Sequence, residues 1–153
     1  MTHARPWLQN GLVTGLLASV STSVTAAVCG QREEHNPVAP VNAVSHIAWG
    51  DEAFHQEEVS TKYTLTGAAL NTAAVTSWAL LHEWLCGEVS KRNLGTALLG
   101  GATVSTLAYL VDYHVVPERL TPGFEKRLSG QSLFAIYATL ALTLGLGSFL
   151  GKR

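Results

Sequence analysis

Charged residues are spread very unevenly along this chain. Four stretches, 6–31, 63–82, 93–111 and 128–151, contain no Asp, Glu, Lys or Arg at all, and each is 19 to 26 residues long. An α-helix rises about 1.5 Å per residue and a bilayer's hydrocarbon core is about 30 Å thick, so roughly 20 such residues suffice for one crossing. A soluble four-helix bundle would instead place a charge on its outer face every turn or two. The pattern therefore predicts an all-α, polytopic membrane protein, a bundle of four transmembrane helices at about 7–29, 62–86, 93–116 and 130–150. Trp7, Tyr63, Trp84 and Tyr113 fall near the ends of these spans, where amphipathic rings settle at the headgroup level.

Between the spans lie a long loop over 30–61, a tight turn over 87–92 and a medium loop over 117–129. Four crossings put both termini on the tight-turn side and the two longer loops on the other. In the long loop Asn42 is placed to cap a short interfacial helix over 43–49 that ends at Gly50. In the medium loop Thr121 and Pro122 mark another helix start, with Phe124 and Leu128 forming its apolar side. Lys and Arg in the flanks tie at five a side and do not orient the protein. The bases at Arg5, Lys91 and Arg92 have little acid beside them, which favours cytoplasmic termini. The apolar run after Arg5 also fits a signal peptide, but it is longer than a usual signal core, and retention is expected.

Small residues recur at helical spacing on single faces: Gly11, Gly15, Ala18 and Thr22 in span one, Ala97, Gly101, Ser105 and Ala108 in span three, Thr139, Thr143, Gly147 and Gly151 in span four. Lipid offers no hydrophobic force between helices, so such faces hold helices together by close approach. Span two aligns Gly67, Asn71, Ala74, Trp78 and His82, and Asn71 is expected to make an interhelical hydrogen bond.

The 153 residues carry a net charge of -1 and amount to one integral domain, with no basic patch for nucleic acid. No phosphate loop, nucleophile elbow or complete metalloprotease helix is present, so no catalytic residue is assigned and enzyme activity is left open. In the sequence His82-Glu83-Trp84-Leu85-Cys86, a cysteine stands where the second zinc histidine would be. Cys29 and Cys86 belong to opposite membrane faces and cannot pair. Crossing parity brings His46, His55, Asp112 and His114 to one face, with Asp51 and Glu118 beside them. Imidazole with carboxylate suits a metal or haem. The structural alternative is that Asp112 pairs with Arg119 or Tyr109 and His46 bonds loop backbone.

Two segments, Pro40-Val-Asn-Ala-Val-Ser-His-Ile-Ala-Trp-Gly-Asp-Glu-Ala53 and Asp112-Tyr-His-Val-Val-Pro-Glu-Arg-Leu-Thr-Pro-Gly-Phe-Glu125, resemble a family of small four-helix bacterial inner-membrane proteins. The resemblance implies a four-span inner-membrane protein and supplies no activity. Two expectations follow. One is an accessory or assembly subunit in the bilayer that packs through its small-residue faces against a membrane partner or a second copy. The alternative is the metal or haem site, its cofactor undetermined; a transport pathway has little to build on without a charge at mid-membrane.

Overall fold

A computed structural model describes residues 5–151; His3, Lys152 and Arg153 lie outside the described residues. Among these residues the protein is helical throughout, with no strand: α1 (Pro6–Glu34), α2 (Ala39–Val44), α3 (His46–Trp49), α4 (Thr66–Ser90), α5 (Leu94–His114) and α6 (Gly130–Leu150). Helical turns at Asp51–His55, Thr61–Leu65, Glu118–Leu120 and Phe124–Lys126 fill the loops. The long helices form a ring in the order α1, α4, α5, α6.

Three of them, α1, α5 and α6, are long and apolar enough to cross a membrane by length and composition. The fourth, α4, is as long, but its polar Asn71, His82 and Glu83 point inward and are buried. Outside, Val13, Val20, Leu99 and Phe134 are 60–76% exposed. This inversion, apolar outside and small or polar inside, is the arrangement a lipid solvent selects.

Small-residue faces are used up inside the monomer. A Cβ on Gly15 would lie 2.7 Å from the Thr76 Cα, and one on Gly101 would overlap the Ala141 carbonyl oxygen. Helices α1 and α4, and α5 and α6, thus touch backbone to backbone. Gly147, expected to be free for a partner, faces Thr14 of α1, where a Cβ would lie 2.5 Å from the Thr14 methyl. Between these contacts sit Ala18, Val75, Ala79, Val104, Ala108, Leu140 and Leu144. Polar groups bridge the same seams: Asn71 donates to Ser23 Oγ at 3.1 Å, the Thr25 and Thr139 hydroxyls meet at 3.0 Å, and Ser105 donates to the Tyr137 carbonyl at 2.6 Å.

Several boundaries differ from the sequence expectation. Helix α1 runs on to Glu34, because charge at 32–34 marks where apolar solvent ends and not where backbone helicity must stop. The tight turn shrinks to 91–93, with Asn93 Oδ1 accepting the Thr96 N–H at 2.9 Å to start α5. Asn42 does not cap a helix over 43–49. Its place is taken by Asn36, whose Oδ1 accepts the N–H groups of Val38 and Ala39 at 2.9 and 3.0 Å, and the helix begins at Ala39 and breaks at Ser45. The expected helix after Thr121 is reduced to the turn at Phe124–Lys126, and Phe124 and Leu128 are both buried as its apolar side.

Replacing Gly101 with valine forces α5 from α6 and is expected to cost about 1–3 kcal/mol. Thermal melting in mild detergent checks this against Leu99→Ala, a change on the exposed face. Equal melting temperatures for the two variants would remove the close α5–α6 contact from the account.

Candidate functional site

The two loops and the end of α1 fold together into a cap. Its apolar underside is Val44, Phe124 and Leu128, seated on Ala26 and Ile136 of the bundle. Asn42, fully buried, is the hub of the long loop. Its Nδ2 donates to the carbonyls of Gln56 and Glu58, both at 3.0 Å, and its Oδ1 accepts from Thr64 Oγ1 at 2.6 Å. One amide thereby ties α2 to the far end of its own loop, which hydrophobic contact alone would not specify.

Charge fixes the cap to the helices. Glu33 accepts the Ser129 N–H at 2.8 Å and the Ser129 Oγ–H at 2.6 Å, and also bonds Ser132 Oγ. A carboxylate here also meets the positive end of the α6 dipole. Arg127 donates from Nε to Glu34 at 2.7 Å, from Nη2 to Glu57 at 3.0 Å and from Nη1 to the Phe54 carbonyl at 2.8 Å. The planar guanidinium thus joins α1, the long loop and the medium loop at one point.

Above this clamp opens a polar cleft of about 640 Å³, whose walls include His46, Asp51, Phe54, His55, Glu118 and Arg119. Lys126 pairs with Glu118 at 2.9 Å on its rim, and the ammonium holds the Glu118 carboxyl below the usual carboxylate range. Arg119 donates from Nε to the Ile47 carbonyl at 3.1 Å, fixing that side chain in place. His46 is 3% exposed and stacks on Phe54 at 4.7 Å between ring centres. Its Nδ1 donates to the Ala43 carbonyl at 2.9 Å, so in the neutral ring Nε2 carries the lone pair; Nε2 is buried and has no hydrogen-bond partner among the described residues. Gly123 packs beside it with φ +88, where a Cβ would both strain the backbone and meet His46 Nδ1 at 2.9 Å.

The four candidate ligands divide three ways. His46 and His55 share the cleft with Asp51 and Glu118, as crossing parity expected. Asp112 points into the bundle beside a small cavity of about 80 Å³ lined also by Asn71 and Trp78. It accepts a hydrogen bond from Tyr137 Oη at 2.6 Å, in place of the expected Arg119 or Tyr109. His114 is exposed at the end of α5, its ring 5.7 Å from that of Tyr109. Among the described residues no three His, Cys, Asp or Glu side chains are grouped so as to hold a metal. Parity fixes the membrane face of a residue but not the direction of its side chain around the helix, and that separates Asp112 and His114 from the loop histidines.

Residues that the sequence reading passed over, Arg127, Glu33 and Glu34, do most to hold the cleft in shape. Their partners lie 70 to 99 positions away in the chain, so no local spacing announces them. The class this geometry defines is a helical protein with three membrane-competent helices and an ordered polar cap. Compared with family models, curated proteins and solved structures, the chain matches none.

Arg127→Ala removes three hydrogen bonds from a side chain only 15% exposed, and bonds to charged groups are worth about 1.5–3 kcal/mol each. The cap is expected to open locally, with cleavage within 35–61 by a soluble protease accelerated about tenfold or more. Wild-type cleavage rates in this variant would show that the cap is held by other contacts.

Proposed function

We propose that this protein is a four-span integral protein of a bacterial inner membrane, with cytoplasmic termini and the cap outside, that serves as an accessory subunit. The observation that carries the reading is the cap itself: a preorganised polar cleft on a bundle whose remaining surface is fit mainly for lipid. Its small-residue faces supply the bundle's own packing, so the surface left for recognition of another protein is the cleft, where Asp51, His55 and Arg119 present charge of both signs. Binding to a preformed surface avoids the entropy of ordering a loop on contact, which favours a standing partner interaction. Exposed apolar side chains on α4, Trp84, Leu85 and Val89, give that helix a lipid face of its own and support four crossings in place of three.

A second reading, metal coordination, is supported by His46 and His55 sharing one cleft and by the unpartnered His46 Nε2. Two imidazoles are fewer than the usual three or four ligands of a zinc site, so this reading needs Asp51 or Glu118 to move in.

Topology is tested by single cysteines introduced at positions 55 and 92 in a chain lacking Cys29 and Cys86. An impermeant maleimide added to intact cells deprived of outer membrane is expected to label position 55 and spare position 92. Labelling of both, or of 92 alone, would overturn the orientation. The accessory role is tested with a photo-crosslinking residue at 51 or 119, expected to capture a discrete membrane partner; capture only from lipid-facing Phe134 would move the interface to the helices. Stoichiometric metal in purified protein, lost on changing His46 and His55 to Ala, would favour the second reading over the first.

A further inference from the structure

The opposite end of the bundle holds polar groups that the cap does not explain. His82 is wholly buried and Glu83 is 3% exposed. Both imidazole nitrogens and the Ser90 hydroxyl are without a hydrogen-bond partner among the described residues, while the Glu83 carboxyl has the Ser148 hydroxyl beside it. Buried polar atoms are paired in the great majority of structures, and an isolated buried carboxylate costs several kcal/mol. A buried imidazole and a serine without partners, next to a buried carboxyl that has a single hydroxyl beside it, therefore call for an explanation.

Two glycines shape the space. On α4, His82, Cys86 and Ser90 lie one turn apart on a ridge that faces Gly100 of α5. A Cβ there would stand 3.2 Å from His82 Nε2 and 3.3 Å from Ser90 Oγ. Glu83 lies along the neighbouring ridge over Gly87, its Oε2 2.6 Å from the position a Gly87 Cβ would take, and Ser148 of α6 faces it. Larger residues at either glycine would displace these polar tips. Glu83 lies seven residues before the last residue of α4, which puts it about 10 Å inside that end of the bundle.

Charge around the pair is sparse. On its own element and turn stand Glu88, Lys91 and Arg92; Lys91 pairs with Glu88 at 3.1 Å and also acts on Glu83 through space. Among the described residues α1 brings Asn10 and Thr14 to this end, with Arg5 exposed at its start, while α5 and α6 bring no ionisable side chain. Lys91 is the base that acts on the Glu83 carboxyl, and among the described residues, Arg5 apart, α1, α5 and α6 bring no Lys or Arg to this end.

We propose that Glu83 and His82 form a proton-binding site enclosed by α4, α5 and α6 and loaded from the tight-turn face. Hydronium at the turn gives up a proton to a Glu83 oxygen; one O–H bond forms, one breaks, and the carboxyl becomes neutral and able to donate to Ser148. His82, on the next ridge, is the second acceptor within the same enclosure. The site is independent of the cap and its failure would leave the accessory reading intact.

Dicyclohexylcarbodiimide couples to protonated carboxyls in apolar surroundings and serves as the probe. In the full-length protein in mild detergent, peptide mapping is expected to find the adduct at Glu83 ahead of the other carboxylates. Its rate should fall about tenfold for each pH unit beyond the site's midpoint, as for any single protonation. His82→Gln is expected to move that midpoint, and Glu83→Gln to abolish the adduct. Where Glu83→Gln does not fold, the carboxylic-acid C=O stretch of isotopically labelled Glu in wild-type protein, appearing and vanishing with pH, gives the same information. No adduct at any pH, a rate independent of pH, or protection by sodium at constant pH would each overturn the proposal, the last by showing a metal cation as occupant.

Discussion

Helix backbones in this protein approach until carbonyl oxygens meet glycine Cα atoms, and most of the architecture follows from that distance. At Gly15 against Thr76 and Gly101 against Ala141 there is no room for a methyl group, so the partner helix is fixed in rotation as well as in position. Once rotation is fixed, the long aliphatic side chains have only the outside to occupy, and Val13, Val20 and Leu99 are found there. The same rotation turns Asn71, Ser105 and Tyr137 into the seams, where their polar groups find partners across helices. In a bilayer these two effects would reinforce each other, because close approach shortens hydrogen bonds that water would not be present to replace.

The cap uses a different currency. Its underside is apolar and small, and its shape comes from Asn42, Glu33 and Arg127, each with several partners from distant parts of the chain. Such hubs specify one arrangement out of many that would bury the same apolar area. They also keep Asp51, His55 and Arg119 at fixed spacing around the cleft, which a loop held by hydrophobic contact alone would not do.

Much of this was legible before any coordinates. Runs without charge located the long helices to within a few residues, since the requirement to avoid charge acts on every position of a span. Asn71 could be read as an interhelical bridge because an amide in that setting has few other partners. The cap was legible only as a short helix with an apolar side; Asn36, not Asn42, starts it, because both fit a cap by type and only the path of the chain after His35 distinguishes them. Likewise the histidine cleft was half visible. Parity placed His46 and His55 together with Asp51, whereas the inward turn of Asp112 depends on Tyr137, 25 residues on, and has no local signature.

His46 Nε2 lacks a partner at the cap end among the described residues, but the groups that give the cap its shape are bonded, and that separates support from chemistry. At the cap end Glu33, Asn42, Arg127 and Asp112 are all bonded, so their burial is compensated and their role is to hold shape. At the tight-turn end His82 and Ser90 are buried without a hydrogen-bond partner among the described residues, and Glu83 is buried with the Ser148 hydroxyl beside it. Aliphatic residues would fill that volume at lower cost, and the glycines at 87 and 100 would then be unnecessary. An acid kept where a leucine would be more stable, with two glycines giving it space, is what a site for a small, exchangeable cation requires.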